Sequence, residues 1–155
     1  QYALDVHGVD ITTEERDEIL AVYHELDVFD DVRDGMNKLY DAGYDLYVVS
    51  NGNPEMLESM VDFAGIGGLL EDTVSADEVG TFKPGPAVYE NAADRLDRDV
   101  GDCRLVSSNA WDVAGASNAG MATAWVNRNR EPRERLGEEA DLEVRTLASL
   151  PDALV

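Results

Sequence analysis

Apolar and polar positions fall along this chain in blocks that predict strands and helices by turns. Residues 46–50 read Leu-Tyr-Val-Val-Ser, a continuous apolar run closed by a polar Asn-Gly turn. A run of that length predicts a strand buried on both faces, as in a parallel sheet. Residues 73–76, 104–107 and 123–126 read the same way, and 142–144 reads as a last edge strand. Helical patterns fill the intervals. Residues 1–8 are the end of a helix closed by Gly8. Thr12 or Thr13 caps the next, with acids in its first turn and Ile19, Leu20, Val22, Tyr23 and Leu26 as its apolar face. Asp30 and Asp31 open a helix to about Ala42, with Val32, Met36, Leu39 and Tyr40 on one face and Gly43 as its stop. Pro54 starts a helix to about Ala64, broken by the glycines that follow, and Pro86 starts one to about Leu96. Residues 112–119 and 147–150 complete the set. Residues 128–139 are polar and predict a surface loop with a short helical turn. Strands alternating with helices predict an α/β fold with a mostly parallel, doubly wound sheet.

Composition sharpens this picture in two ways. The net charge is −21 over 155 residues, with acids spread among apolar positions. Such a surface excludes nucleic acid and anionic membranes as partners, since both need a basic face. No apolar run approaches the ~20 residues of a membrane span, and residues 1–10 do not read as a secretory signal. Lysine is scarce: only Lys38 and Lys83 occur, against ten arginines. An acidic, lysine-poor chain predicts a salt-adapted protein whose surface repulsion is screened by salt. The single cysteine, Cys103, precludes an internal disulfide and fits the reducing cytoplasm. With no histidine near it in sequence, it reads as structural. His7 and His24 have no metal-ligand spacing around them and read as surface or cap residues.

Candidate chemistry collects where predicted strands pass into polar turns, the place at which open α/β sheets build their sites. Three stretches qualify: Ser50-Asn51-Gly52, the loop Lys83-Pro84 leading to Tyr89, and Ser107-Ser108-Asn109-Ala110-Trp111-Asp112. Singly, the first reads as a turn, Lys83 as a loop lysine and Trp111 as core. Together, in this order and spacing, they resemble motifs II, III and IV of the haloacid dehalogenase (HAD) superfamily, and more narrowly its type II L-2-haloacid dehalogenases. The Ser-Ser-Asn-x-Trp-Asp string is the specific part, and the resemblance covers nearly the whole chain.

The resemblance implies a Rossmann-like core over residues 28–155, preceded by a remnant of a helical cap over 1–27. It implies hydrolysis of short L-2-haloacids to 2-hydroxy acids: an aspartate attacks carbon 2, halide leaves with inversion, and water cleaves the aspartyl ester. In that scheme Lys83 keeps the nucleophile ionised and Asp112 positions Lys83 and helps activate water. Ser107 and Asn109 hold the network around Lys83, and Tyr89 matches a tyrosine of the family's site. Ser50 and Asn51 give donors to the substrate carboxylate and leaving halide, and Trp111 walls the pocket. No cofactor or metal is implied, and a homodimer is compatible with the family.

One expected part is missing. No aspartate here follows a suitable apolar strand. Asp5-Val6-His7-Gly8-Val9 mimics the nucleophile motif, but the residues before Asp5 do not form a strand and Val9 stands where a hydroxyl is needed. The expectation is therefore that the central nucleophile strand is absent and that these residues are the C-terminal part of a longer enzyme, inactive alone. Three rivals stand beside this reading. A Mg²⁺-dependent phosphatase of the same superfamily carries a second acid where Ser108 stands, and a serine is a poor substitute for an anionic Mg²⁺ ligand. A non-catalytic remnant or partner-dependent subunit would explain the missing motif. A flavodoxin-like binding module lacks support from any Gly-rich phosphate loop.

Overall fold

In the computed structural model, which describes residues 2–154, five strands and seven α-helices alternate as the sequence predicts. The strands are β1 (Tyr47–Ser50), β2 (Asp72–Ser75), β3 (Arg104–Ser107), β4 (Ala122–Val126) and β5 (Leu142–Val144). All three strand pairings are parallel. They fall into two sheets, β1-β2 and β3-β4-β5. The helices are α1 (Tyr2–His7), α2 (Thr13–Ala21), α3 (Val32–Asp41), α4 (Pro54–Ala64), α5 (Pro86–Arg95), α6 (Ala110–Ala119) and α7 (Leu150–Ala153). The predicted start at Gln1 lies outside the described residues.

Helix starts and stops follow local chemistry. Thr12 forms a capping box with Glu15 at α2, and the Asn53 side chain accepts the Met56 N–H ahead of Pro54 at α4. Gly65 ends α4 in the left-handed region at φ 60°, which a glycine adopts without steric cost. Side chains alternate across β3. Leu105 packs with Val74, Tyr89, Ala92 and Ala116, the α5–α6 layer, while Val106 packs against Leu39, Ala124, Val126 and Leu150, the α3–α7 layer. The first of these clusters includes Val74 and Val49 from the other sheet, so one core spans both sheets.

Three expectations need correction. The apolar residues of the second predicted helix do not form a buried face: Ile19, Leu20, Val22, Tyr23 and Leu26 are all exposed, and α2 ends at Ala21 before a single 3₁₀ turn. Strand β1 is half-buried at all four positions rather than buried. Residues 128–139 contain no helical turn. Arg133 crosses that loop to the Glu139 carboxylate and the Gly137 carbonyl, bonds that hold it open without a helix.

The strands expected to flank a missing neighbour, β1 and β3, lie in different sheets and do not pair with each other. Among the described residues each has one strand partner, β2 and β4 respectively. With one strand partner, β1 is half-buried at all four positions, whereas a strand inside a parallel sheet has neighbours on both edges and helices on both faces.

Candidate active site

The carboxyl ends of β1 and β3 are joined by one side chain. The Lys83 ammonium donates to the Val49 carbonyl near the end of β1 at 3.0 Å, and to Asp112 Oδ2 at 2.8 Å in the first turn of the helix after β3. Both side chains are nearly withdrawn from solvent, at 10% and 4% exposure. Asp112 Oδ1 accepts from the Tyr89 hydroxyl at 2.7 Å, and Tyr89 is fully buried in α5. A buried carboxylate is tolerable only when its oxygens are satisfied, and here each oxygen has its own donor. Burial, and then the neighbouring carboxylate, push the Tyr89 phenol far above its ordinary pKa, so it stays a proton donor to Asp112.

Two further residues shape this cluster. Asn51 grips the backbone of Lys83: its Oδ1 accepts the Lys83 N–H at 2.7 Å, and its amide donates to the Lys83 carbonyl at 3.5 Å. The Lys83–Pro84 peptide is cis. Gly115, one helical turn after Asp112, faces the same loop. A Cβ there would lie 2.5 Å from Pro84 Cβ and 2.7 Å from the Tyr89 hydroxyl. Helix α6 can therefore approach the lysine loop closely enough for Asp112 to meet both Lys83 and Tyr89 only because residue 115 has no side chain.

The structure thus brings together Lys83, Asp112, Tyr89 and Asn51 from the predicted set. It holds the other members locally. The Ser50 hydroxyl accepts the Gly52 N–H at 3.1 Å, and the Ser107 hydroxyl accepts the Asn109 N–H at 3.1 Å rather than reaching Lys83. Asn109 precedes α6 without a side-chain cap bond. Trp111 is 39% exposed. The indole of Trp125, not Trp111, closes on the loop, donating to the Ser108 carbonyl at 3.1 Å.

Sequence reasoning passed over Gly115 and Arg128. A glycine inside a helix costs roughly 1 kcal/mol against alanine, which is the one signal that could have singled out Gly115. Arg128 donates to the Ser108 hydroxyl at 3.0 Å, the position at which an acid would ligate Mg²⁺ in the phosphatase reading. The remaining candidates outside the site are quiet. His24 Nδ1 lies 2.6 Å from the Ser59 hydroxyl, linking the 3₁₀ turn after α2 to α4. Burial, and then Asp102, push the Cys103 thiol up, away from thiolate chemistry. No helix among the described residues is long and apolar enough to cross a membrane.

Comparison with known proteins gives one family. The model of the haloacid dehalogenase-like hydrolases matches residues 1–120. The chain is 34% identical over 154 residues to (S)-2-haloacid dehalogenase 1 of Pseudomonas sp. (strain CBS-3), covering 99% of this chain and 68% of that protein. It is 39% identical over 132 residues to (S)-2-haloacid dehalogenase 2 of the same strain, covering 85% of this chain and 58% of the relative. Across four such relatives the chain spans between 52% and 68% of their length. Its fold superposes on the L-2-haloacid dehalogenase of Xanthobacter autotrophicus with a TM-score of 0.91 at 26% identity, covering 99% of this chain and 71% of that one. A HAD phosphatase from Thermococcus onnurineus is also similar, at TM-score 0.76 and 28% identity, covering 99% and 69%.

Proposed function

We propose, from the premise that this chain belongs to the haloacid dehalogenase-like hydrolase family, that it carries the lysine–aspartate half of a site that hydrolyses short L-2-haloacids to 2-hydroxy acids. Residues 28–155 form the catalytic core in this reading, and 1–27 belong to a helical cap.

One observation carries the proposal. The Lys83 ammonium bridges Val49 at the end of β1 and Asp112 beyond β3, and those two strands do not pair with each other. A parallel strand lying between them would deliver the residue at its carboxyl end beside this cation. An aspartate there is held ionised by the ammonium and aimed as a nucleophile. Attack on carbon 2 of the haloacid forms the ester and releases halide. Asp112, anchored by Tyr89, then orients Lys83 and accepts a proton from the attacking water. Ser50, Asn51, Ser107, Asn109 and Trp111 line the approach from the strand ends. Among the described residues no aspartate follows such a strand, and Asp5 lies inside helix α1. In this reading the nucleophile is not among the described residues, and residues 1–155 do not turn over alone.

The phosphatase reading is weaker because of Ser108. Its hydroxyl is neutral and already bound by the Arg128 guanidinium, an arrangement ill-suited to a divalent cation that seeks anionic oxygen. The acidic surface and single cysteine support a salt-adapted protein of the cytoplasm.

The test measures chloride release from L-2-chloropropionate by the 155 residues, and by a form extended with the coding sequence upstream of Gln1, each with and without chelator. Release by the extended form only, unaffected by chelator, is the expected result. Release by the 155 residues alone would overturn the assignment of the nucleophile. Phosphate-ester hydrolysis that requires Mg²⁺ would replace the halide reading with the phosphatase one.

A further inference from the structure

Outside the Lys83–Asp112 cluster, a half-buried set of contacts converges on Arg128, in the turn after β4. Its guanidinium donates through Nε and Nη2 to Asp31, at 3.3 Å to Oδ1 and at 3.1 and 2.9 Å to the two oxygens. Its remaining arm, Nη1, donates to the Ser108 hydroxyl at 3.0 Å. Its flat face lies over the Phe29 ring, 4.4 Å from the centroid. Asp31 in turn accepts the Leu147 N–H at 2.5 Å, so its carboxylate ties residues 97 and 116 positions apart in sequence.

The location of these partners gives the arrangement its meaning. Phe29 and Asp31 belong to the stretch that leads from the N-terminal helices into α3. Ser108 stands in the turn between β3 and α6, four residues before Asp112 in the first turn of that helix. The same loop residue is held from the other side by the Trp125 indole on its carbonyl. Arg128 is half-buried with Asp31, at 21% and 17% side-chain exposure, so solvent screening is reduced. A planar fork with several donors in fixed directions can hold a carboxylate with two arms and a hydroxyl with the third; an ammonium cannot.

We infer that Arg128 is a positioning residue that locks the loop leading into Asp112, the β3–α6 turn at Ser108, to the neck at Phe29–Asp31, so that the neck and the candidate site share one geometry. The inference rests on the proposed function only for its consequence. If Asp112 serves the chemistry, the neck then sets the position of a catalytic group it never touches. Nothing else connects Asp31 to the β3–α6 turn so directly: Asp31 reaches it through Arg128 alone among its described hydrogen bonds.

The experiment reads the loop without turnover, by amide and indole NMR of the intact chain, so its outcome is independent of whether halide is released. Asp31→Asn is expected to shift the Trp125 indole signal and the amides of residues 108–112, although Asp31 touches none of them. In an Arg128→Gln background, where the link is already cut, the same Asp31→Asn change is expected to leave those signals unmoved. Arg128→Lys keeps the charge but loses the fork, and is expected to shift the loop as Arg128→Gln does. The inference is overturned if Asp31→Asn leaves the loop signals in place, if it moves them equally with Arg128 absent, or if lysine restores them. Should Arg128→Gln not fold, the Asp31→Asn and Arg128→Lys arms decide alone.

Discussion

Helices α2 and α6 set local specification against burial. Helix α2 has nearly every local signal of a helix: a capping box from Thr12 and Glu15, and acids in its first turn. None of its residues is buried. Helix α6 shares the first-turn acid, in Asp112, and ends at a left-handed Gly120, but lacks the box. It has no side-chain cap at Asn109, and it contains Gly115, Ser117 and Asn118, all poor helix formers. Yet Asp112, Val113, Gly115 and Ala116 are buried. The difference teaches which forces hold each part. Helix α2 is written in its own residues, whereas α6 is imposed by the sheet, by α5 and by the lysine loop. Small residues let it sit close, and the close seat is what brings Asp112 to Lys83 and Tyr89.

The largest effect is expected from removing the group that α6 delivers. Asp112→Ala strips the buried Lys83 ammonium of its counter-ion, leaving it the Val49 carbonyl, and leaves the buried Tyr89 phenol only the main-chain carbonyl of residue 112. Breaking a buried pair by deleting one partner costs about 3–5 kcal/mol, which denaturant unfolding should register. In any form that releases halide, activity should fall to background. Asp112→Asn should recover part of the stability through Tyr89 but not the activity. If Asp112→Ala unfolds like the parent, the pair is not buried in solution and the contrast with α2 fails.

A smaller loss is expected at Gly115→Ala. On propensity alone it should stabilise a helix by roughly 1 kcal/mol. The new Cβ would sit 2.5 Å from Pro84 and 2.7 Å from the Tyr89 hydroxyl, and overpacking of this kind costs about 1–3 kcal/mol. Calorimetry should therefore give a lower Tm. A raised Tm would mean that α6 tolerates retreat from the lysine loop.

Much of this was legible in the sequence, for reasons that differ from part to part. Strands 104–107 and 142–144 and helix Pro54–Ala64 read correctly to the residue because apolar runs, Asn53-Pro54 and Gly65 are local statements. Lys83, Asp112 and Tyr89 were legible only through their resemblance to motifs, since nothing in local pattern says that residues 83 and 112 meet. The half-burial of β1 was not legible, because a strand's burial depends on neighbours its own residues do not encode. The Ser107 hydroxyl turned to the nearby Asn109 N–H, a competition common to short polar residues in turns. Arg128 was invisible, for its partner lies 97 residues away.

Acid offers a gentler probe. Burial of Asp31 opposes its ionisation, but the Leu147 N–H and the Arg128 guanidinium outweigh it and hold the carboxyl below its ordinary value. The Thr123 backbone N–H does the same for Asp141, where burial is the lesser, opposing influence. A carboxylate whose folded pKa is depressed contributes stability that is full above its unfolded pKa and is lost as pH falls through the folded value. Stability should thus decline below about pH 4, the ordinary carboxylate range. Asp31→Asn should flatten that decline, as measured by urea midpoints across the acid range. An unchanged slope would show that Asp31 is not held by Arg128 in solution.

The smallest effect belongs to α2 and closes the comparison. Leu20 is 48% exposed and Ile19 56%. Replacing an exposed apolar residue away from any packed contact usually changes stability by within ~0.5 kcal/mol. Leu20→Ser should therefore leave the unfolding midpoint of the 155-residue chain nearly unchanged, whereas an equally drastic change at buried Val88 should lower it by several-fold more. Serine in place of leucine loses little helix propensity, and Thr12 still caps the start, so the helix itself should persist. The same pair of substitutions in a form extended upstream asks a separate question. If the apolar residues of α2 gain a packing partner there, Leu20→Ser becomes costly, by about 2 kcal/mol or more for a fully buried side chain. A large cost in the 155-residue chain itself would mean that α2 already packs in solution, and that its helix is held by burial as α6 is.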